Sequence, residues 1–503
     1  MLAHITAAAI QGIDAVPVYV EVDLSFGLPG MAIVGLPDAT VRESRDRVRA
    51  AIRNSGFPFP GERVTVSLNP ADLKKVGASF DLPIALGVLA ASGVLPHRDG
   101  PPFTIVGGLS LDGSVPTMRG LLPIAVAARK RPHAALMFPA PNMREASIVD
   151  GLKLFPVRSL FEATKILCTP NPEPAAADPV SADAAPSPAD DLAEVKGQLL
   201  GRRALEIAAA GGHHLLMSGP PGAGKTMLAR RLPGLLPPLQ FEEALTVTTI
   251  HSVAGLLTPG VGLIRTRPFR APHHTCSDVA LVGGGSAPRP GELSLAHAGV
   301  LFLDELVEFG RRVLESLRQP LEEGVVHIAR ASRSVSFPAD VMLVGAMNPC
   351  PCGFHGSPDR RCVCPTPAVE RYAQRLSGPL RDRFDLAVEL GAVPWRDISN
   401  GQPGETSGPV RARVCAARSV QLDRQGTLNT KLAGSSLQKY CRPADKRAED
   451  LLARGVARLA LSVRAVTRVQ RVARTVADLD GSGSVTRAHL AEALHFRLPG
   501  RMG

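Results

Sequence analysis

Residues 219–226 read GPPGAGKT, and residues 300–305 read VLFLDE. The first run fills every position of G-x-x-x-x-G-K-[ST], the pattern of a phosphate-binding loop. Gly219, Gly222 and Gly224 let the backbone curl so that its N–H groups point inward at phosphate oxygens, with Pro220, Pro221 and Ala223 between them. Lys225 reaches the outer phosphates as a point charge, and the Thr226 hydroxyl can ligate Mg²⁺. The second run is an apolar strand presenting two acids at its tip. Asp304 is expected behind the Mg²⁺, and Glu305 is expected to polarise an attacking water. The chemistry implied is binding and hydrolysis of a nucleoside triphosphate, with ATP and Mg²⁺ as cofactors.

Such a loop works only between a strand and a helix. HHLLMSG before it reads as a short apolar strand, and KTMLARRL after it reads as a helix whose N-terminal dipole faces the phosphates. GQLLGRRALEIAAAGG upstream is a further helix, and VLFLDE and VMLVGAMN are further strands. Strands alternating with helices around a phosphate loop predict a parallel, doubly wound α/β sheet. Asn348 ends VMLVGAMN, where it can hold the attacking water or simply turn the chain before Pro349. Past residue 410 the pattern is helical, with Gly/Pro breaks near 434, 443 and 481. Toward the N-terminus, VPVYVEVDL and RVTVSL read as strands, and RESRDRVRAAIRNSG and DLPIALGVLAASG as helices closing on glycine. Between these parts, residues 169–191 hold six prolines and no aromatics and read as a linker.

Bulk composition narrows the class. A chain of 503 residues, 45% hydrophobic and 20% charged, suits a globular protein of several domains. No apolar run approaches the roughly 18 residues of a membrane span, no signal peptide is evident, and eight cysteines do not suggest a secreted disulfide scaffold. A cytoplasmic protein without membrane partners is expected. From Arg411 to Gly503 there are 18 Lys and Arg against 7 Asp and Glu, a net of +11, equal to that of the whole chain. A basic C-terminal part points to a polyanion, nucleic acid first. Arg464, Arg468 and Arg471 share one helix face with Arg474 beside them, and read mostly as solvated.

The phosphate loop, the paired acids, Asn348, SGPLRDRFDL (377–386) and LSVRA (461–465) occur in the order of an AAA+ ATPase. PFRAPHH (268–274), PGELSLAHAGVLFLDEL (290–306), LRQPLEEG (317–324) and NPCPCG (348–353) resemble the magnesium-chelatase-related ComM/YifB family, and the resemblance covers nearly the whole chain. It implies an AAA+ doubly wound parallel sheet with a C-terminal helical lid, behind an N-terminal Lon-protease-like (ribosomal S5 domain 2-like) α/β domain. The segments are then 1–168 for the N-terminal domain, 169–191 for the linker, 192–394 for the ATPase core and 395–503 for the lid. By the same resemblance Asn348 is sensor 1, Arg383 is an arginine finger given to a neighbour's ATP, and Arg464 is the sensor-2 arginine. Read without the resemblance, Arg383 is a salt-bridge partner of Asp382 or Asp385. A finger completes a site across an interface, so a homo-oligomeric ring, a hexamer, is implied. The hairpin-like VVHIARASRSVSFP (325–338) resembles the pore hairpin of ring helicases. Arg330 and Arg333 near its turn are the candidate DNA contacts, made to phosphates of branched or single strands. The implied activity is a branch-migration or helicase motor in recombination of transforming DNA. The alternative is a chelatase-type protein-remodelling ATPase for metal insertion into a tetrapyrrole.

Two further features stand apart. Cys350, Cys352, Cys362 and Cys364 form C-x-C-x9-C-x-C, which can close a tetrahedral structural Zn²⁺ site, or remain free thiols or a redox pair. Ser79 stands where the Lon-type nucleophile falls, but Leu122 stands near the position of the lysine base. Arg119 nearby stays protonated, so the domain reads as proteolytically dead.

Overall fold

The computed structural model describes residues 2–497 except 74, 76, 97–102, 132–133, 179–189, 258–261, 286–287, 331–332, 358–359, 394–398 and 400–403. Residues 179–189 of the proline-rich linker therefore lie outside the described residues. Its first part does not: Ala175 pairs antiparallel with Leu154, and the Asp178 N–H donates to the Ser147 hydroxyl at 3.0 Å.

Seven strands build the N-terminal part: β1 (Leu2–Gln11), β2 (Asp14–Ser25), β3 (Gly30–Val34), β4 (Arg63–Asn69), β5 (Thr104–Ile105), β6 (Ala135–Pro139) and β7 (Lys153–Val157). They form one mixed sheet in the order β3-β4-β2-β1-β5-β6-β7. The helices Ala39–Asn54 and Asp81–Ala91 appear where the sequence predicts them. The latter is buried along almost its whole length, so propensity matters less there than the apolar run DLPIALGVLAA.

The second part holds β8 (Leu215–Ser218), β9 (Phe269–Arg270), β10 (Gly283–Gly284), β11 (Arg289–Pro290), β12 (Val300–Leu303), β13 (Val325–Arg330), β14 (Arg333–Pro338), β15 (Met342–Met347) and β16 (Leu386–Glu389). Five of these form a parallel sheet, β16-β8-β15-β12-β9, while β10/β11 and β13/β14 are separate hairpins. Every residue of β8, β12 and β15 is buried, as expected of parallel strands covered on both faces. Leu215, Met217, Phe302 and Val344 face one core, which includes the helices Leu199–Gly211 and Lys225–Leu235. Leu216, Leu301, Leu303 and Leu343 face the other.

The C-terminal region is helical: Ser407–Gln425, Gly434–Tyr440, Lys446–Leu459, Val463–Leu479 and Arg487–His495. Val469, Val472, Val476, Leu490 and Phe496 join the same core as the sheet. Among the described residues no helix is long and apolar enough to cross a membrane.

The N-terminal part is seated on the helix Phe241–Ala254. Leu121, Leu122, Ile124 and Phe138 share an apolar cluster with Leu239, Ala244 and Val247. The buried Glu145 carboxyl links the two halves. It accepts from the Leu122 N–H (2.9 Å), the Asn142 amide (2.9 Å) and the Ser252 hydroxyl. Leu122 is thus a buried docking residue, while Ser79 lies in the short turn Ala78–Phe80, its carbonyl accepting from the Gly107 N–H.

Candidate nucleotide site

The sheet's register decides what meets at its carboxyl edge. β8 runs straight into the phosphate loop, and the helix Lys225–Leu235 starts at its end. Gly219 has no room for a side chain: a Cβ would lie 2.4 Å from the Leu390 carbonyl oxygen. Gly224 caps the helix at φ 86°, a left-handed conformation that side chains resist.

β12 delivers Asp304 and Glu305 beside this loop. The Thr226 hydroxyl donates to Asp304 Oδ2 at 2.7 Å. That spacing is close to the roughly 2.9 Å between neighbouring ligands of an octahedral Mg²⁺ with bonds of about 2.0–2.1 Å, so the donor set fits the ion. Asp304 Oδ1 accepts from the Glu305 N–H at 2.9 Å. Glu305 sits at φ 49°, an unusual conformation that turns its carboxylate off the strand end. β15 delivers Asn348, whose Oδ1 accepts from Lys225 Nζ at 3.1 Å. Lys225 also donates to the carbonyls of Gly219 (2.6 Å) and Pro220 (3.0 Å). Burial pushes the Lys225 pKa down, opposed by the nearby Asp304 and Glu305 charges. Lys225, Thr226, Asp304, Glu305 and Asn348 therefore converge from three separate segments.

One neighbour of this group was not singled out in the sequence. His274 Nδ1 lies 3.1 Å from Glu305 Oε2, its ring 4.1 Å from that of His273. The run PFRAPHH that contains it was informative only as a pattern.

Arg383 and Arg464 are elsewhere. They line a cleft of about 470 Å³ with His214, Asp340 and Asp385, which lie one or two residues ahead of β8, β15 and β16. The cleft is therefore at the amino edge of the sheet. Arg383 Nη2 donates to Glu322 Oε2 at 2.5 Å, a partner other than the Asp382 or Asp385 that its neighbours suggest, and its Nε is buried with no partner among the described residues. Asp385 is instead buried under the floor, where it accepts from the His214 N–H at 3.1 Å and lies 3.3 Å from Arg468 Nε. Burial works against ionisation of Asp385, but His213, His214 and Arg468 outweigh it and hold the carboxyl below the usual range.

The arginine face of the helix Val463–Leu479 is a correction to the sequence reading. Only Arg464 is exposed. Arg468 is spoken for by Asp385, Arg471 Nε donates to the Leu432 carbonyl at 2.7 Å, and Arg474 is buried against Asp478 and the carbonyls of Ser482 and Gly483. Carbonyls and carboxylates take Arg468, Arg471 and Arg474 out of water, from distant segments for the first two and from the helix and the turn after it for Arg474. Val463 is exposed at the first turn. In the hairpin β13/β14, Arg330 pairs with Arg333 across the turn. Residues 331–332 and both arginine side chains lie outside what is described.

The four cysteines are brought together. Cys350 and Cys352 Sγ lie 3.3 Å apart, Cys350 and Cys362 3.7 Å, Cys352 and Cys362 3.5 Å, and all four sulfurs lie within 4.8 Å of one another. N–H groups of Val363 and Phe354 favour the Cys352 thiolate, pushing it down to about 6.

A parallel sheet carrying a phosphate loop, an acidic strand tip and a strand-end asparagine, with a helical C-terminal region, defines an AAA+ ATPase of the magnesium-chelatase type. Family models agree: residues 191–398 match magnesium chelatase, subunit ChlI, residues 20–142 match subunit ChlI of Mg-chelatase, and residues 404–497 match the ChlI C-terminal region. The chain is 44% identical to competence protein ComM of Haemophilus influenzae over 99% of its length and 97% of that protein. It is 43% identical to YifB of Escherichia coli over 100% of its length and 98% of that protein. A magnesium-chelatase 67 kDa subunit of Heliobacterium mobile is 30% identical over 33% of the chain and 29% of that subunit. The chain belongs to the magnesium-chelatase-related ComM/YifB family.

Proposed function

We propose that the protein is a ring-forming, ATP-hydrolysing motor that acts on DNA, moving branched or three-stranded junctions during recombination of incoming strands. The observation that carries the ring is the separation of Arg383 and Arg464 from the phosphate loop. β8 spans four residues, about 13 Å at roughly 3.3 Å each, and the two groups sit at its opposite ends. An arginine that cannot reach its own nucleotide serves the neighbour's, stabilising charge that builds on the transferred phosphoryl group. In this reading Lys225 and Thr226 hold the phosphates and Mg²⁺, Asp304 supports the ion, Asn348 and Glu305 position the water, and Arg383 with Arg464 arrives from the next subunit of a homo-oligomer, a hexamer. Zn²⁺ at the four cysteines is the further metal.

Support for DNA comes from the basic C-terminal region, the hairpin with Arg330 and Arg333, and full-length similarity to a protein named for competence. A chelatase-type remodelling role is the second reading, favoured by the Heliobacterium similarity. The N-terminal part does not argue against it, because residues 20–142 match a model that is itself described as a chelatase subunit. The coverage favours DNA: nearly the whole chain against one third. The test is ATP turnover with and without junction DNA, with Arg330→Ala/Arg333→Ala alongside. Stimulation that the double variant loses is expected. A rate indifferent to DNA, but raised by a chelatase partner subunit, would transfer the assignment to the second reading.

A further inference from the structure

The four-cysteine loop is not a remote ornament of this ATPase. It begins two residues after Asn348, and its turn forms a wall of the phosphate loop. Gly353 sits at φ +85° so close to Pro221 that a Cβ would lie 2.5 Å from Pro221 Cδ and 3.0 Å from Cγ. The Gly353 N–H donates to the Cys350 carbonyl at 2.9 Å, closing the turn, and the His355 N–H donates to Cys350 Sγ at 3.3 Å. The base of the same loop is tied to the Asn348 strand, with the Gly219 N–H donating to the Met347 carbonyl at 3.3 Å.

The donor set suits a soft divalent cation. Tetrahedral Zn²⁺ with Zn–S bonds of about 2.3 Å places its sulfurs roughly 3.8 Å apart. The 3.3, 3.5 and 3.7 Å separations among Cys350, Cys352 and Cys362 need shifts of only tenths of an ångström, and the Cys364 sulfur lies within 4.8 Å of all three. Without a cation, the two arms, 350–352 and 362–364, are joined by thiol contacts and by N–H···S bonds such as that from Val363 to Cys352, both weak links. A cation binding all four joins the arms and fixes the turn that abuts Pro221.

We propose that a tetrahedral Zn²⁺-class cation at Cys350, Cys352, Cys362 and Cys364 is a positioning device for the ATP site, holding Gly353 against the phosphate loop and Asn348 at Lys225. This rests on the ATP-site reading above. The cysteines are positioning residues, since they act on the phosphate loop through Gly353 and on Lys225 through Asn348.

The experiment uses the full chain purified without chelator. Zinc is counted by plasma mass spectrometry. The protein is then stripped under reducing conditions and dialysed into Mg²⁺, and binding of a fluorescent ATP analogue is measured beside turnover and circular dichroism. One zinc per chain is expected. Stripped, still-folded protein is expected to lose about tenfold or more in nucleotide affinity or turnover, and Zn²⁺ is expected to restore it in wild type but not in Cys362→Ser. Gly353→Ala leaves all four sulfurs in place and is expected to keep its zinc yet weaken nucleotide binding, because a methyl group there strains the positive-φ turn and meets Pro221. Wild type without a bound metal overturns the site. One zinc per chain with stripped protein within twofold of loaded protein overturns the coupling and leaves the site standing. If Cys362→Ser fails to fold, stripped wild type and Gly353→Ala decide the question. Absent ATP turnover in loaded wild type refutes the motor reading instead, and the analogue's affinity still decides this one.

Discussion

Removing Arg383 tests the arrangement most directly, because the two ends of one sheet must then belong to two different sites. Arg383→Ala keeps the phosphate loop, Thr226, Asp304 and Asn348 intact, so nucleotide affinity is expected to stay near wild type. An arginine finger contributes about 10³–10⁵ in rate, which is about 4–7 kcal/mol at roughly 1.4 kcal/mol per decade. Homogeneous Arg383→Ala should therefore be nearly silent. Lys225→Ala should be silent for the opposite reason: it binds no nucleotide but still offers its arginine. In a one-to-one mixture, half the subunits carry a working phosphate loop, and half of those face a neighbour with Arg383. About one quarter of sites are then complete, whatever the ring size, if sites fire independently. The assay is steady-state phosphate release at saturating ATP, with native mass spectrometry to show mixed rings. Mixed rings that stay silent would refute donation across the interface. Wild-type turnover by Arg383→Ala alone would refute its role altogether.

Glu305→Gln should keep nucleotide affinity and lose about 10²–10⁴ in turnover, read by analogue binding beside single-turnover hydrolysis. His274→Gln removes the group 3.1 Å from Glu305 and should lower kcat by up to about 10²-fold without changing affinity, since it displaces the carboxylate and not the phosphates. Equal loss in affinity would assign His274 to the nucleotide instead. Glu145→Ala leaves three donors without an acceptor between the N-terminal part and the helix Phe241–Ala254. It should cost about 3–9 kcal/mol in chemical denaturation and expose the junction to limited proteolysis, at about 1–3 kcal/mol per stranded group. An unchanged denaturation midpoint would mean that the apolar cluster alone holds the two parts together.

The sequence by itself determined the local chemistry. Eight residues build a phosphate cradle because the recognition is made by consecutive backbone groups and one lysine, so no distant partner is needed to see it. Apolar runs of four to six residues specified β8, β12 and β15, since strands buried on both faces need no polar alternation. Cysteine spacing singled out the thiol cluster. Tertiary structure decided everything that depends on which segments meet. Arg464, Arg468, Arg471 and Arg474 share a helix face, yet one lies open in a cleft, one pairs with Asp385 and two serve backbone carbonyls. Their partners lie up to 83 residues away along the chain, as with Arg468 and Asp385. Position in the chain placed Arg383 among acids at 382 and 385, but folding gave it to Glu322. The same holds for His274 beside Glu305, for Gly353 against Pro221 and for Glu145 beneath Ser252. A side chain's direction is set by its own backbone, whereas its partner is set by long-range packing, and only packing could show which edge of the sheet each charge would occupy.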